Sequence, residues 1–168
     1  MTDILLRLEE SGFSTWIRES TSILAFPSIL LLHTIGMALV VGISAGIDLR
    51  ILGLASDLPL APMERFFPIL WIGFWINAIT GTALLIADAS TKMANPDFYV
   101  KMVFIALALI NLRMLKTRVF RDPHLDNGPL STNAKVLAIT SLIFWLGAIT
   151  AGRLMAYVGP VSGLQDLK

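Results

Sequence analysis

The stretch ILAFPSILLLHTIGMALVVGISAGIDLR, residues 23–50, decides the fold. Its first 25 residues, from Ile23 to Ile47, carry no formal charge. A helix needs roughly 20 such residues to cross the hydrocarbon core of a bilayer. The stretch therefore predicts a transmembrane helix, and His33 gives that helix an ionisable side chain in its interior.

Four residues of this stretch follow one another at steps of 4, 7 and 4: His33, Met37, Ser44 and Asp48. Such steps place side chains on about one face of a helix. A polar face of a membrane helix turns toward a bundle interior or a cavity, away from lipid. We therefore expect a site on this face, with His33 as its first candidate.

Composition supports a membrane protein of one domain. Of the 168 residues, 55% are hydrophobic and only 15% are charged, and the mean hydropathy is +0.74. A net charge of +1 leaves no basic surface large enough to bind nucleic acid. The absence of cysteine excludes disulfides and thiolate metal sites, and two histidines are too few for a typical zinc site.

Hydropathy predicts four membrane spans, at about residues 23–49, 66–88, 98–115 and 135–158. The third is the weakest, because Lys101 and Arg113 bracket its apolar run. Residues 89–97 read as a polar turn that breaks at Asn95-Pro96, and residues 159–168 as a polar tail. Residues 1–22 alternate apolar and charged side chains, which predicts an amphipathic helix in the membrane interface. The expected fold is an all-α integral membrane bundle of four helices.

Charge predicts the orientation of this bundle. The connections after the first and third spans hold seven of the thirteen cations: Arg50, Arg65, Arg113, Lys116, Arg118, Arg121 and Lys135. Connections rich in Lys and Arg stay in the cytoplasm. We therefore expect a multi-pass plasma-membrane protein with both termini on the outer side.

Several polar residues accompany His33 as candidate site residues. Asn77 lies near the middle of the second span, while Lys101 and Arg153 lie at the outer ends of the third and fourth. A neutral imidazole can ligate a metal or haem iron, relay protons, or form a structural hydrogen bond. The two cations can hold an anionic cofactor edge or act as snorkelling anchors.

Haem ligation by two histidines of one chain is not expected, because His124 belongs to a polar connection. A haem on His33 would take Met37, Met102, Met155 or another non-histidine group as its second ligand, use a second copy of the chain, or leave that position open. Ala38, Gly42 and Gly46 form a strip of small residues on the first helix. Such a strip suits close packing of a neighbouring helix, within the chain or in a homo-oligomer.

Three short motifs carry a resemblance. LHTIGMALVVG around His33, MERFFPI with Thr80-Gly81 further on, and FYVKM at the third span resemble HemJ-type protoporphyrinogen oxidases. In outline the chain is also similar to copper-resistance D membrane proteins and to small bacterial membrane families of unknown function. The motif AGRLMAYVG resembles the families of unknown function more closely than it resembles the oxidases. The resemblance implies a haem- or redox-associated scaffold in which His33 is the first-helix histidine and Lys101 the third-helix lysine.

One difference from these families limits which of their properties are expected of this chain. The oxidase-like families have a Tyr-His pair where this chain has Ile110-Asn111, so the enzyme activity is not transferred. The leading expectation is a redox or haem-binding membrane protein, with haem b as candidate cofactor and an electron-transfer partner. Two alternatives stay open: a carrier or channel for a small ion or metabolite lined by His33, Asn77 and Asp48, and a non-catalytic subunit or scaffold.

Overall fold

The chain was analysed as a computed structural model that describes residues 2–122, 125–126, 129–155 and 157. These residues are helical and contain no strand. The helices are α1 (Thr2–Glu9), α2 (Gly12–Glu19), α3 (Phe26–Ile51), α4 (Phe67–Ile86), α5 (Ala89–Ala94), α6 (Pro96–Arg118) and α7 (Thr132–Leu154), with a 3-10 helix at Ala61–Phe66 before α4. The predicted polar tail lies outside the described residues.

Four helices, α3, α4, α6 and α7, are long and apolar enough to cross a membrane. The chain is therefore a multi-pass membrane protein. We call the end of the bundle where α3 begins the terminal end, and the end where α3 stops the connection end. Helices α3 and α6 run from the terminal end to the connection end, and α4 and α7 run in the opposite direction. Residue 33 of α3 accordingly contacts residue 77 of α4, and residue 111 of α6 contacts residue 140 of α7.

The third spanning helix is longer than the sequence predicts. Helix α6 has 23 residues, about 34 Å at 1.5 Å per residue, whereas the predicted span, residues 98–115, has 18. Pro96 occupies the first helical position, where its missing N–H costs least, and the Asn95 side chain accepts a hydrogen bond from the Asp97 N–H at 2.9 Å. This cap starts the helix two residues before the predicted span.

The predicted turn at residues 89–97 is wrong in part, because residues 89–94 form the helix α5. The Lys92 ammonium donates a hydrogen bond to the Leu84 carbonyl at 2.7 Å and lies 3.6 Å from the Asp88 carboxylate. These contacts fold α5 back on the end of α4. The one-residue connection at Asn95 then leads directly into α6.

The N-terminal segment forms two helices that are separated at Glu10 and Ser11. The Glu9 carboxylate accepts two hydrogen bonds from Ser90, one from the N–H and one from the hydroxyl, both at 2.7 Å. These bonds, led by that from the backbone N–H, hold the pKa of Glu9 below its ordinary value. They also join α1 to α5 at the terminal end.

The spanning helices pack in the order α4, α3, α7, α6, and no comparable packing joins α4 to α6. At the connection end the gap between these outer helices is closed. The Phe67 ring meets the Phe120 ring edge-on with centroids 5.2 Å apart, and the Lys116 ammonium lies 5.3 Å from the Phe67 centroid. Ile51 and Leu60 are buried in the same apolar cluster. The bundle is thus sealed at one end.

Glycines set the close approach of α3 to α4. A Cβ on Gly36 would lie 2.8 Å from the Asn77 nitrogen and 2.8 Å from the Gly73 carbonyl oxygen. The predicted strip of Ala38, Gly42 and Gly46 is instead exposed, and a Cβ on Gly42 would meet nothing within 4 Å. The prediction that a helix of this chain packs on that strip is therefore wrong for the described residues.

Candidate ligand cavity

His33 lies seven residues inside α3, about 10 Å from the start of the helix. Its Nδ1 is 3.1 Å from the Asn77 carbonyl oxygen and 3.1 Å from the Thr80 hydroxyl oxygen. A carbonyl oxygen only accepts hydrogen bonds, so Nδ1 carries the proton that reaches it. In the neutral ring, Nε2 then has a free lone pair.

The backbone and side chains of α4 fix this imidazole from several sides. The Asn77 amide donates a hydrogen bond to the His33 carbonyl at 2.7 Å, while the Thr80 hydroxyl donates to the Ile76 carbonyl at 2.6 Å. The ring also requires Gly81, since a Cβ there would lie 3.0 Å from the imidazole Cε1. Sequence analysis identified His33 and Asn77, and the structure brings them together.

His33 lines a cavity of about 360 Å³ between the spanning helices. This volume lies near the lower end of the range for small-molecule sites. Most of the wall is apolar, and Met37 and Met102 contribute thioethers to it. The remaining lining residues include Phe74, Ala78, Leu85, Phe98 and Ile105. The cavity thus occupies the side of the bundle where α4 and α6 do not pack together.

Lys101 supplies a cationic group to this cavity. Its side chain is half-buried and lines the wall formed by α6. It also lies beside Gly152 of α7, where a Cβ would be 3.5 Å from the Lys101 Cδ. No carboxylate forms an ion pair with Lys101 in the described part of the chain. A lysine without such a partner in an apolar wall favours an anionic group on the ligand.

The structure does not bring Arg153 to the same wall. Its side chain is exposed, and its guanidinium lies 5.3 Å from the centroid of the Tyr157 ring. Arg153 is not among the residues that line the cavity. The expected pair of cations is therefore divided between the cavity wall and the outside of the bundle.

Trp145 of α7 also lines the cavity. Its side chain is 6% exposed, and its indole Nε1 has no hydrogen-bond partner among the described residues. Buried indole N–H groups usually find an acceptor. Nothing in the sequence indicated that Trp145 lines a cavity, because a tryptophan in an apolar run is not distinguished by its position.

The predicted polar face of α3 is divided in two. His33 and Met37 line the cavity, whereas Ser44 and Asp48 are buried and lie nearer the connection end. The Ser141 side chain of α7 is hydrogen-bonded to the Asp48 carboxyl. Sequence analysis missed Ser141, because one serine in an apolar span is common in helix packing.

The donor set restricts the chemistry of the cavity. No group of three or more His, Asp or Glu residues lies together in the described ranges. His33 therefore offers one strong metal-binding atom, while Met37 and Met102 offer weak ones. This arrangement suits a metal that brings most of its own ligands, as haem iron does.

The chain matches no protein-family model, no curated protein and no solved structure.

Proposed function

We propose that this integral membrane protein binds a haem, haem b in the first instance, in the cavity between α3, α4 and α6. The observation that carries the proposal is the 3.1 Å contact between the His33 Nδ1 and the Asn77 carbonyl oxygen. The Nδ1 proton is engaged by the Asn77 carbonyl, which leaves Nε2 as the ligating atom and raises its basicity. A histidine held in this way is typical of haem and metal ligands.

Other lining residues support an amphipathic ligand of this kind. Met102 of α6 is the candidate for a second iron ligand, whereas Met37, one helical turn from His33 on the same helix, would contact the ligand from the same side as His33. Lys101 would pair with a carboxylate on the ligand edge, and the Trp145 N–H would donate to an oxygen of the ligand. Asn77 acts through His33 by positioning it. Arg153 would contribute charge at the same end of the bundle, outside the cavity.

A bound haem would supply one-electron transfer, so the protein would exchange electrons with a partner in or at the membrane. The resemblance to HemJ-type and copper-resistance D proteins supports the same class of function. Oxidase activity forms no part of this proposal. The cavity volume of about 360 Å³ would leave part of a haem ring exposed on the side between α4 and α6.

We propose the plasma membrane as the location, with the connection end in the cytoplasm. Arg113, Arg118, Arg121 and Lys135 are exposed at that end, and the positive-inside rule favours the cytoplasmic side for such a concentration of cations. The helices α1 and α2 would then lie in the outer interface. Phe13 and Trp16, which are 49% and 45% exposed, would enter the headgroup region.

Absorption spectra of the purified protein, expressed with ample haem and recorded oxidised and reduced, test the proposal. We expect a Soret band that shifts on reduction, and its loss in His33→Ala. The matched control is His124→Ala, which removes the other histidine of the chain and should leave the spectrum unchanged. Met37→Leu and Met102→Leu should identify the second ligand by a changed reduced spectrum.

A colourless wild-type protein would overturn haem binding. So would a Soret band of equal strength in wild type and His33→Ala, because the ligand would then be another group. Proteoliposome flux measurements would then examine the carrier alternative, for which the buried carboxyl of Asp48 is the supporting observation.

A further inference from the structure

A second polar site lies away from the cavity, around Asp48 of α3. This side chain is 1% exposed and stands three residues before the end of α3 at Ile51, about 5 Å along the helix axis. One hydrogen bond joins its carboxyl to the Ser141 side chain. The other oxygen, Oδ2, has no partner in the described part of the chain.

Three further polar residues lie at this level or within one helical turn of it. Asn111 of α6 donates from its amide to the Thr140 hydroxyl at 2.6 Å, and Thr140 adjoins Ser141 in α7. The Asn111 Oδ1 and the Ser44 Oγ are buried without a hydrogen-bond partner. Ser44 precedes Asp48 by four residues and therefore shares its face of α3. The cluster thus joins α3, α6 and α7.

No cation of the described chain neutralises Asp48. Arg50 of the same helix donates from its guanidinium to the carbonyls of Leu58 and Ser56, and Lys116 lies over the Phe67 ring. Helix α4 carries no charged residue. The remaining charged side chains of the described residues near this end are exposed: Asp57, Glu64, Arg65, Arg113, Arg118, Arg121, Asp122, Asp126 and Lys135. An ionised carboxylate in this position would cost several kcal/mol.

The hydrogen-bond donors and acceptors of these side chains indicate what the cluster binds. An ionised Asp48 and the Asn111 carbonyl oxygen are acceptors only, and the Ser44 hydroxyl can accept as well as donate. Two of the three unpartnered atoms, Asp48 Oδ2 and Asn111 Oδ1, are therefore acceptors without a donor. A proton on Asp48 turns its unpartnered oxygen into a donor and removes the buried charge in the same step. A hard metal ion such as Ca²⁺ takes six to eight oxygen ligands, more than these side chains offer.

We propose that Asp48, with Ser44, Ser141 and Asn111, forms a proton-binding site in the bundle core near the connection end. The site is separate from the cavity and does not depend on the ligand proposed there. His33 lies 15 residues away along α3, about 22 Å. The buried side chains of Ile51, Leu60 and Phe67 separate the proton from water at the connection end.

Infrared spectroscopy of the detergent-purified full chain at neutral pH tests this site. We expect the carbonyl band of a protonated carboxylic acid that shifts in D₂O and disappears completely in Asp48→Asn. The band should persist in Asp88→Asn, which alters an exposed carboxylate, and in His33→Ala, which separates this test from that of haem binding. If Asp48→Asn does not fold, Asp48→Glu should keep the band at a shifted frequency.

Two outcomes would overturn the proposal. Identical carboxylic-acid bands in wild type and Asp48→Asn would mean that Asp48 is ionised or that the band belongs to another group. Loss of the band when NaCl replaces a salt of a large organic cation at constant pH would mean that sodium occupies the site instead of a proton.

Discussion

Replacing Gly36 by alanine tests how α3 and α4 are held together. The new methyl group would lie 2.8 Å from both the Asn77 nitrogen and the Gly73 carbonyl oxygen. Both are backbone atoms inside α4, so neither can turn away as a side chain could. The helices must separate by about 0.6 Å to restore an ordinary contact of 3.4 Å.

The expected loss of stability follows from two opposing terms. Overpacking a close helix contact costs about 1–3 kcal/mol, whereas alanine in place of glycine stabilises a helix by about 0.5–1 kcal/mol. Gly42→Ala gains the helix term alone, because a Cβ there meets nothing within 4 Å. Both variants gain the helix term, so it cancels when they are compared. The free energy of unfolding of Gly36→Ala should therefore be lower than that of Gly42→Ala by about 1–3 kcal/mol.

Reversible unfolding in mixed micelles, followed by circular dichroism as the denaturing detergent is raised, measures this difference. We expect Gly36→Ala to unfold earlier than wild type, and Gly42→Ala at the same point or later. Light scattering on each variant would show whether an oligomer contact involves Gly42. Equal destabilisation of monomeric Gly36→Ala and Gly42→Ala would refute the proposed packing of α3 on α4.

Two further predictions concern polar contacts. Gly81→Ala places a Cβ 3.0 Å from the His33 Cε1, so the imidazole must move and its Nδ1 hydrogen bond should weaken. Nitrogen NMR of histidine-labelled protein should show one tautomer protonated at Nδ1 in wild type and a mixture in the variant. The Ser90 hydrogen bonds lower the pKa of Glu9 below its ordinary 4.5, so their contribution is complete above that pH and is lost as the pH falls through the folded value. Amide exchange in α1, corrected for its intrinsic pH dependence, should therefore rise in this acid range, and Glu9→Gln should abolish the rise.

Each of these predictions has a matched control. Gly152→Ala adds a methyl group at an ordinary contact distance of 3.5 Å from Lys101 and should leave the His33 tautomer unchanged. Glu10→Gln removes the neighbouring carboxylate and should keep the acid-dependent exchange in α1. A mixed tautomer already in wild type, or acid-dependent exchange that survives in Glu9→Gln, would contradict the contacts on which they rest.

The four spanning helices could be predicted from sequence because each is a long apolar run, and the cost of burying polar backbone in lipid leaves few alternatives. The faces by which these helices contact one another could not be predicted. A membrane helix is apolar on nearly all sides, so small residues do not reveal which side meets a partner. Within the chain, Gly36 and Gly73 make the close contact, while Gly42 and Gly46 are exposed.

The candidate site could also be predicted only in part. His33 and Asn77 were identified because polar groups in lipid need partners, and the structure places hydrogen bonds between these two residues. Lys101 and Arg153 were assigned to the same end by counting residues. The rotation of α6 and α7 about their axes decides that only Lys101 lines the cavity, and residue counting carries no information about that rotation.

The weak packing between α4 and α6 would determine how the proposed ligand reaches the cavity. In a membrane, where the outside of the bundle faces the hydrocarbon region, the proposed ligand would enter sideways, after it has dissolved in the bilayer. Its occupancy would then follow its mole fraction among the lipids, and acyl chains would compete with it for the apolar wall. A titration in detergent and one in membranes would therefore give different apparent affinities for the same site.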